Sequence, residues 1–508
     1  MFHKNPIVKG AFILTLAGLI SRFLGFFYRI FLSRILGGVG LGLYQLVFPI
    51  VSLSFALSCA GIQTSISKFV AENEIGNKTA SSKKILVSGL TLSFSASVLI
   101  SILIYGNAGY ISTYILREAG CEPLIRYLCF SFPLASIHSC INGYYLGKKK
   151  ASVPAISQLV EQICRVTSVY LLWMILKESG KQITPGIAMI GIVLGEAGSV
   201  IVCCLALSKK SRTSIKNRVK EKTIRIYTGY LNKIFKMAFP LTLNRVMLTI
   251  LQSIEAILIP TMLKKYGMSN DHALSIYGVL TGMALPFIFF PSALTNSISV
   301  MLLPEVASSK AKDNTSSLEG TTSKTLRFCL LIGIYCTGIF SSYGNSFGTI
   351  IFGNKQVGLF IIVLSWLCPF MYLTTTLASI LNGLGKTTTT FAFNTIGTII
   401  KIFFIVFLIP KVGIIGYLWG VLASGILETI LHALAVRKYI KINFNPFTWI
   451  IQPIYTILIA IGITYYLNYL VLSVFHFPQL INIIICCLII TVIYFGNFLR
   501  KQKYTKYI

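Results

Sequence analysis

Acidic side chains are scarce in this sequence: 14 Asp and Glu among 508 residues, against 45 Lys and Arg. Charged residues of both signs make up 12%, half the roughly 25% of a soluble domain, too few to clothe a water-facing surface of this size. A water-soluble enzyme fold is excluded on that ground. A disordered chain is excluded too, because disorder needs low hydrophobicity and 55% of these residues are apolar, with a mean hydropathy of +0.77. Ligand-type cysteine spacing is also missing. The 12 Cys include no C-x-x-C and no zinc-like Cys/His cluster. Pairs such as Cys203–Cys204 and Cys486–Cys487 lie inside apolar runs and read as small packing residues. No metal and no organic cofactor is expected.

What the sequence does have is long apolar runs. A crossing helix needs about 20 mostly apolar residues, and fourteen segments qualify, at about 8–30, 41–70, 85–105, 124–146, 153–176, 184–207, 233–260, 274–303, 326–346, 357–383, 390–409, 413–436, 449–472 and 480–499. Continuous runs lack the alternation of barrel strands, so the fold class is all-α and polytopic. The first run continues past the length of a signal-peptide core and shows no clear cleavage site, so it reads as an uncleaved span. With the N-terminus inside, 31 of the 45 basic residues fall on the inner side, 8 on the outer side and 6 within spans. That is the bias of cytoplasmic loops. It predicts a multi-pass protein of the cytoplasmic membrane with both termini cytoplasmic. It also accounts for the basic excess without nucleic acid.

The chain repeats itself. Lys9-x-Ala11-Phe12-x-Leu14-Thr15-Leu16 returns as Lys236-x-Ala238-Phe239-x-Leu241-Thr242-Leu243. Ile141-Asn142-Gly143 with Leu146-Gly147-Lys148 returns, two residues shorter, as Leu381-Asn382-Gly383-Leu384-Gly385-Lys386. Each copy holds six spans, so the halves form a parallel repeat about an axis along the membrane normal. The predicted organisation is an N-lobe at 1–207, a basic cytoplasmic linker at 208–232, and a C-lobe at 233–436. Two additional helices and a basic tail follow at 437–508. Two like-oriented bundles suggest alternating access, with a substrate site between them near the midplane.

Ionisable groups inside spans are costly and nominate that site. Arg22 and Arg29 share a helix face about 10 Å apart, and Arg34 stands near the outer interface. In span seven, Asn244, Arg245, Gln252 and Glu255 form a polar stripe about 100° wide. These seven are the candidate substrate-binding residues. Glu161 and Arg165, four apart, are placed to pair along one helix. With Glu196 and Glu428 they are the candidates for gating or for coupling to sodium, protons or the membrane potential, and His432 joins Glu428. A guanidinium is a planar fork of donors that suits phosphate and keeps its charge, so an arginine-rich cavity predicts a phosphate- or pyrophosphate-bearing ligand.

At these residues the sequence resembles a known family. Ser21-Arg22-Phe23-Leu24-Gly25-Phe26, then Arg34-Ile35-Leu36-Gly37, is similar to the first-helix signature of lipid II flippases in the MOP exporter superfamily. Gly42-Leu43-Tyr44, Ile66-Ser67-Lys68-Phe69-Val70-Ala71-Glu72, Glu161-Gln162-Ile163 and Ser379-Ile380-Leu381-x-Gly383-Leu384-Gly385-Lys386 resemble its sporulation members more closely still. The resemblance covers essentially the whole chain. It implies a MOP/MATE-like pair of lobes that flips an undecaprenyl-pyrophosphate-linked peptidoglycan precursor outward, in spore cortex synthesis, with the forespore membrane as a location. It also implies that Arg22 and Arg34 match cavity arginines, while the family's intervening arginine falls near Tyr28, one place before Arg29. Spans 13 and 14 would help form a groove for the lipid tail. The implied partners are the lipid-linked oligosaccharide, membrane lipids and a cell-wall polymerase. A multidrug or cation antiporter of the same superfamily is the alternative. A polytopic glycosyltransferase is a further one, disfavoured because the short outer loops carry few acids to act as base.

Overall fold

The computed structural model describes residues 6–75, 79–211, 222–311, 315–442, 444–472 and 478–504, and these form helices joined by short turns, with no β-strand among them. The all-α polytopic class is therefore as expected. Eleven helical stretches are long and apolar enough to cross a membrane. The number is thirteen when the bent pairs Ala119–Cys129 with Ser131–Gly147 (43°) and Lys355–Ser365 with Cys368–Gly383 (57°) each count as one crossing. One of the eleven, Phe12–Glu74, is 63 residues long, several times the roughly 20 of a single crossing. Gly37 breaks it at φ 65°, ψ −171°, a backbone conformation open only to glycine. Read as two crossings, it brings the count to the fourteen expected.

The chain divides into two compact units. The first holds the described residues up to Lys264 together with Ser269–Gly278; the second holds Lys265–Met268 and the described residues from Val279 onward. The principal helices of the first unit are α1 (Pro6–Phe55), α2 (Gly61–Ile75), α3 (Thr79–Gly106), α4 (Glu122–Cys129), α5 (Ser131–Gly147), α6 (Ser152–Glu178), α7 (Gly186–Ser211), α8 (Lys222–Lys265) and α9 (Asn270–Gly278). Those of the second are α10 (Ser292–Ala311), α11 (Thr315–Phe352), α12 (Lys355–Ser365), α13 (Cys368–Gly383), α14 (Thr387–Phe407), α15 (Ile414–Arg437), α16 (Gln452–Leu467) and α17 (Gln479–Tyr504). Much of the basic linker, residues 212–221, lies outside the described residues.

Helices in lipid gain little from the hydrophobic effect and associate through close packing and interhelical hydrogen bonds. Both devices are visible in the first unit. Ser93, Ser97 and Ser101 form one stripe of α3. Their hydroxyls donate to the Ser58 carbonyl (2.6 Å), the Ser136 hydroxyl (3.1 Å) and the Cys129 carbonyl (2.8 Å). On α5, a Cβ at Gly143 or Gly147 would come within 2.6 Å of the Gln63 carbonyl or 2.5 Å of the Ser67 carbonyl on α2, so those two helices touch backbone to backbone. Around this contact lies a buried core of Ile62, Ile66 and Val70 from α2, Ile85 from α3, Ile141 and Tyr144 from α5, and Ala238 from α8. In the second unit, Leu302 and Val306 of α10, Leu326 and Leu330 of α11, Leu377 and Ile380 of α13, and Val436 of α15 share a core with Trp449.

Candidate functional site

The α2–α5 contact determines where three cations meet. Along α2, Gln63, Thr64, Ser67, Lys68 and Ala71 fall at helical spacing on one face, and that face lines a cavity of about 490 Å³. The glycine contact draws the end of α5 alongside, bringing Lys149 into the wall, and α8 contributes Arg245. The lining residues carry three positive charges, a carboxamide and two hydroxyls, and no carboxylate. Among the described residues, none of the three cations has a carboxylate partner. The neighbouring Lys148, by contrast, pairs with Glu74 at 3.4 Å and lies over the Tyr144 ring.

Lys149 has a left-handed backbone, φ 58°, at the end of α5. The N–H of Lys150 donates to the Tyr145 carbonyl and that of Lys149 to the Leu146 carbonyl, both at 2.9 Å. This is the helix-terminating turn whose left-handed position is normally glycine. Lys68 and Lys149 went unnoticed as site residues in the sequence because they look like ordinary inner-loop charge. The α2 face at 63, 64, 67 and 68 was the available signal.

Of the seven substrate-binding candidates, only Arg245 lines this cavity. Asn244 and Gln252 are exposed on α8 and Glu255 is half-buried. On α1, Arg22 and Arg34 are exposed and Arg29 is half-buried; Arg22 and Arg29 have no carboxylate partner among the described residues. All seven belong to the first unit.

The coupling candidates fall into one cluster and one outlier. Arg165 donates to Glu161 at 2.5 Å along α6, as their spacing predicts. Glu196 of α7 meets His138 of α5, Nε2 to Oε2 at 2.5 Å. His138, Glu161 and Glu196 present ligand atoms within 4.8 Å of one another. Gly195 makes this possible: a Cβ there would lie 2.9 Å from the Glu161 carbonyl, so α7 rides directly on α6. His138 was not singled out in the sequence, because its partner lies 58 positions away. The outlier is Glu428, whose carboxylate lies over Gly397 of α14. His432 Nδ1 sits 2.7 Å from the Glu428 backbone carbonyl, a contact within one helix turn.

The second unit has an apolar cleft. One cavity of about 410 Å³ is lined by Ile334, Phe370, Ile454 and Leu458 among others. A second, of about 430 Å³, shares Leu330 and Leu373 with it and ends at Trp449 and Arg437.

Residues 7–304, more than half of the chain, match the polysaccharide biosynthesis protein family. The chain belongs to that family. It is 26% identical over 444 residues to stage V sporulation protein B of Bacillus subtilis (strain 168), covering 87% of this chain and 86% of the relative. Lipid II flippase MurJ, solved in an inward closed conformation, has a TM-score of 0.68 at 15% identity over 96% of this chain and 100% of that one. An inward-facing multidrug resistance MATE transporter of the MOP superfamily has a TM-score of 0.63 at 14% identity, over 83% of this chain and 94% of the other. The fold is that of the MOP superfamily. Its span content and its relatives make the chain a multi-pass membrane protein, and a further relative, 23% identical over 421 residues, is named lipid II flippase MurJ of Bacillus subtilis (strain 168).

Proposed function

We propose that this protein moves an undecaprenyl-pyrophosphate-linked peptidoglycan precursor, similar to lipid II, from the inner to the outer leaflet of the cytoplasmic membrane, for spore cortex synthesis. The observation that carries this reading is the cavity where Arg245, Lys68 and Lys149 converge without a lining carboxylate. A pyrophosphate placed there meets a bidentate guanidinium, two point charges and the neutral donors of Gln63, Thr64 and Ser67, which suits a multiply charged anion. By the basic-residue bias, Lys68 and Lys149 lie toward the cytoplasm, so the cavity is an entry site, and Arg22, Arg29 and Arg34 on α1 are later contacts for the same anion. The apolar cleft of the second unit, with Ile454 and Leu458 from the predicted thirteenth span, suits the polyprenyl tail. The 1–207 and 233–436 repeat would supply the alternating-access halves. An inside-negative potential favours outward movement of an anion by about 2.3 kcal/mol per charge per 100 mV.

The antiporter alternative needs a carboxylate left open to a cationic drug. Glu161 and Glu196 are instead engaged by Arg165 and His138. The test is translocation of fluorescent lipid II in liposomes holding the purified protein. Arg245→Ala, Lys149→Ala and Arg22→Ala should each slow it severely. Wild-type rates in all three would overturn the reading, and export of cationic dyes by the same vesicles would revive the antiporter.

A further inference from the structure

The cluster of His138, Glu161, Arg165 and Glu196 plays no part in gripping the cargo, yet it gathers four ionisable groups from α5, α6 and α7 inside one membrane unit. Its charge does not close. Two carboxylates and one guanidinium leave a net charge of −1 when the imidazole is neutral. An uncompensated charge at membrane depth is expensive, so the site calls for one more positive charge.

Two observations say which cation. The groups acting electrostatically on His138 are Glu196, Glu161 and Arg165, and those acting on Arg165 also include Tyr28 and Tyr44 of α1. A dication would face the Arg165 guanidinium, which already holds Glu161 at 2.5 Å. The 2.5 Å between His138 Nε2 and Glu196 Oε2 leaves room for a shared hydrogen and none for a metal ion, since a metal needs about 2 Å or more to each ligand atom.

We propose that this cluster is a binding site for one transported proton, with His138 as its carrier. In the neutral ring, Nε2–H donates to Glu196, and the lone pair of Nδ1 faces the Asn142 carboxamide at 3.5 Å. The proton adds to Nδ1, and the Asn142 carboxamide, whose Nδ2 donates to the neutral ring, turns so that Oδ1 accepts the new N–H. The imidazolium then balances the second carboxylate, and the cluster carries two charges of each sign. A polar chain leads away from Nδ1. Asn142 lies 3.4 Å from the Ser157 hydroxyl and 3.5 Å from Cys203 Sγ, and Ser157 bonds Ser199 at 2.5 Å. Loss of the proton leaves Glu161 and Glu196 repelling each other across the α6–α7 contact. Occupancy therefore decides how firmly α5 is held to α6 and α7. The binding site stands independently of cargo; its use as the energy source rests on the flippase reading above.

The first test needs no transport. Infrared difference spectra of the full-length protein in lipid nanodiscs, titrated from about pH 5 to about pH 9 across the range where histidine changes charge, should show one coupled imidazole–carboxylate transition. It should vanish in His138→Gln and in Glu196→Gln, and exchange of sodium for choline should leave it in place. No such transition in wild type, an unchanged one in both variants, or a shift with sodium would each overturn the proposal. The second test follows fluorescent lipid II in vesicles clamped at zero potential with a one-unit pH gradient imposed in either direction. A one-proton step changes its driving equilibrium by about tenfold per pH unit, and the two gradients are two units apart, so wild-type rates should differ by up to about a hundredfold between directions, and His138→Gln rates should not. Equal wild-type rates overturn the coupling alone. A surviving titration with no lipid movement under any gradient overturns the flippase reading and leaves the proton site standing.

Discussion

Lys149 and Gly385 occupy the same left-handed position at two equivalent helix ends, with φ of 58° and 80°. At each, the next residue's N–H reaches back five positions, from Lys150 to Tyr145 and from Lys386 to Leu381, while the left-handed residue's own N–H reaches back three. The second half uses the residue that this turn favours. The first half holds a lysine there, and that lysine lines the basic cavity. A side chain kept in a strained backbone position beside a cavity points to a role for its charge.

Replacing Lys149 with glycine should therefore separate stability from function. Relief of the left-handed strain is worth about 1 kcal/mol, so Lys149→Gly should unfold at a higher temperature than wild type in detergent. Its lipid II translocation should fall, and the residual rate should depend less on ionic strength. A variant more stable and equally active would remove Lys149 from the site.

The backbone contact between α2 and α5 gives a second expectation. A methyl group at Gly147 would press to within 2.5 Å of the Ser67 carbonyl, and relief means moving helices apart, at about 1–3 kcal/mol. Gly147→Ala should lower both thermal stability and translocation because it withdraws Lys149 from Lys68. Gly18 of α1 has nothing within 4 Å of its Cβ position, so Gly18→Ala should be silent in both assays. Equal behaviour of the two variants would show that the contact does not shape the cavity.

Much of this architecture was legible in the sequence. The long apolar runs describe a polytopic helical chain. The Glu161–Arg165 pair follows from a spacing of four. What was not legible depends on which helix lies beside which. His138 finds Glu196 only because Gly195 lets α7 settle on α6, and a separation of 58 residues carries no periodic signal. Lys68 and Lys149 look like orientation charges until the α2–α5 contact brings them together. Of the span-seven stripe, Arg245 enters the cavity wall, while Asn244, Gln252 and Glu255 do not.

If Arg245 and Lys68 grip one pyrophosphate, their losses should not add. A hydrogen bond to a charged group is worth about 1.5–3 kcal/mol, so Arg245→Gln and Lys68→Gln should each weaken binding of fluorescent lipid II by about tenfold to a hundredfold. The double variant should fall short of the product, because partners of a shared ligand couple. Arg245→Lys should recover only part of the loss, since it restores the charge without the planar fork. Strict additivity would place the two residues at separate anions.

The apolar cleft makes a prediction about the other end of the lipid. Ile454 and Leu458 line it and are exposed, so an enlarged side chain there can fill the cleft without breaking a buried core. Ile454→Trp and Leu458→Trp should slow a long-chain polyprenyl substrate and spare a short-chain analogue with the same headgroup, because only the long tail needs the full cleft. A charged Leu458→Arg should slow both by opposing desolvation of any tail. If chain length made no difference in the tryptophan variants, the tail would travel in bulk lipid and the cleft would lie outside the transport path.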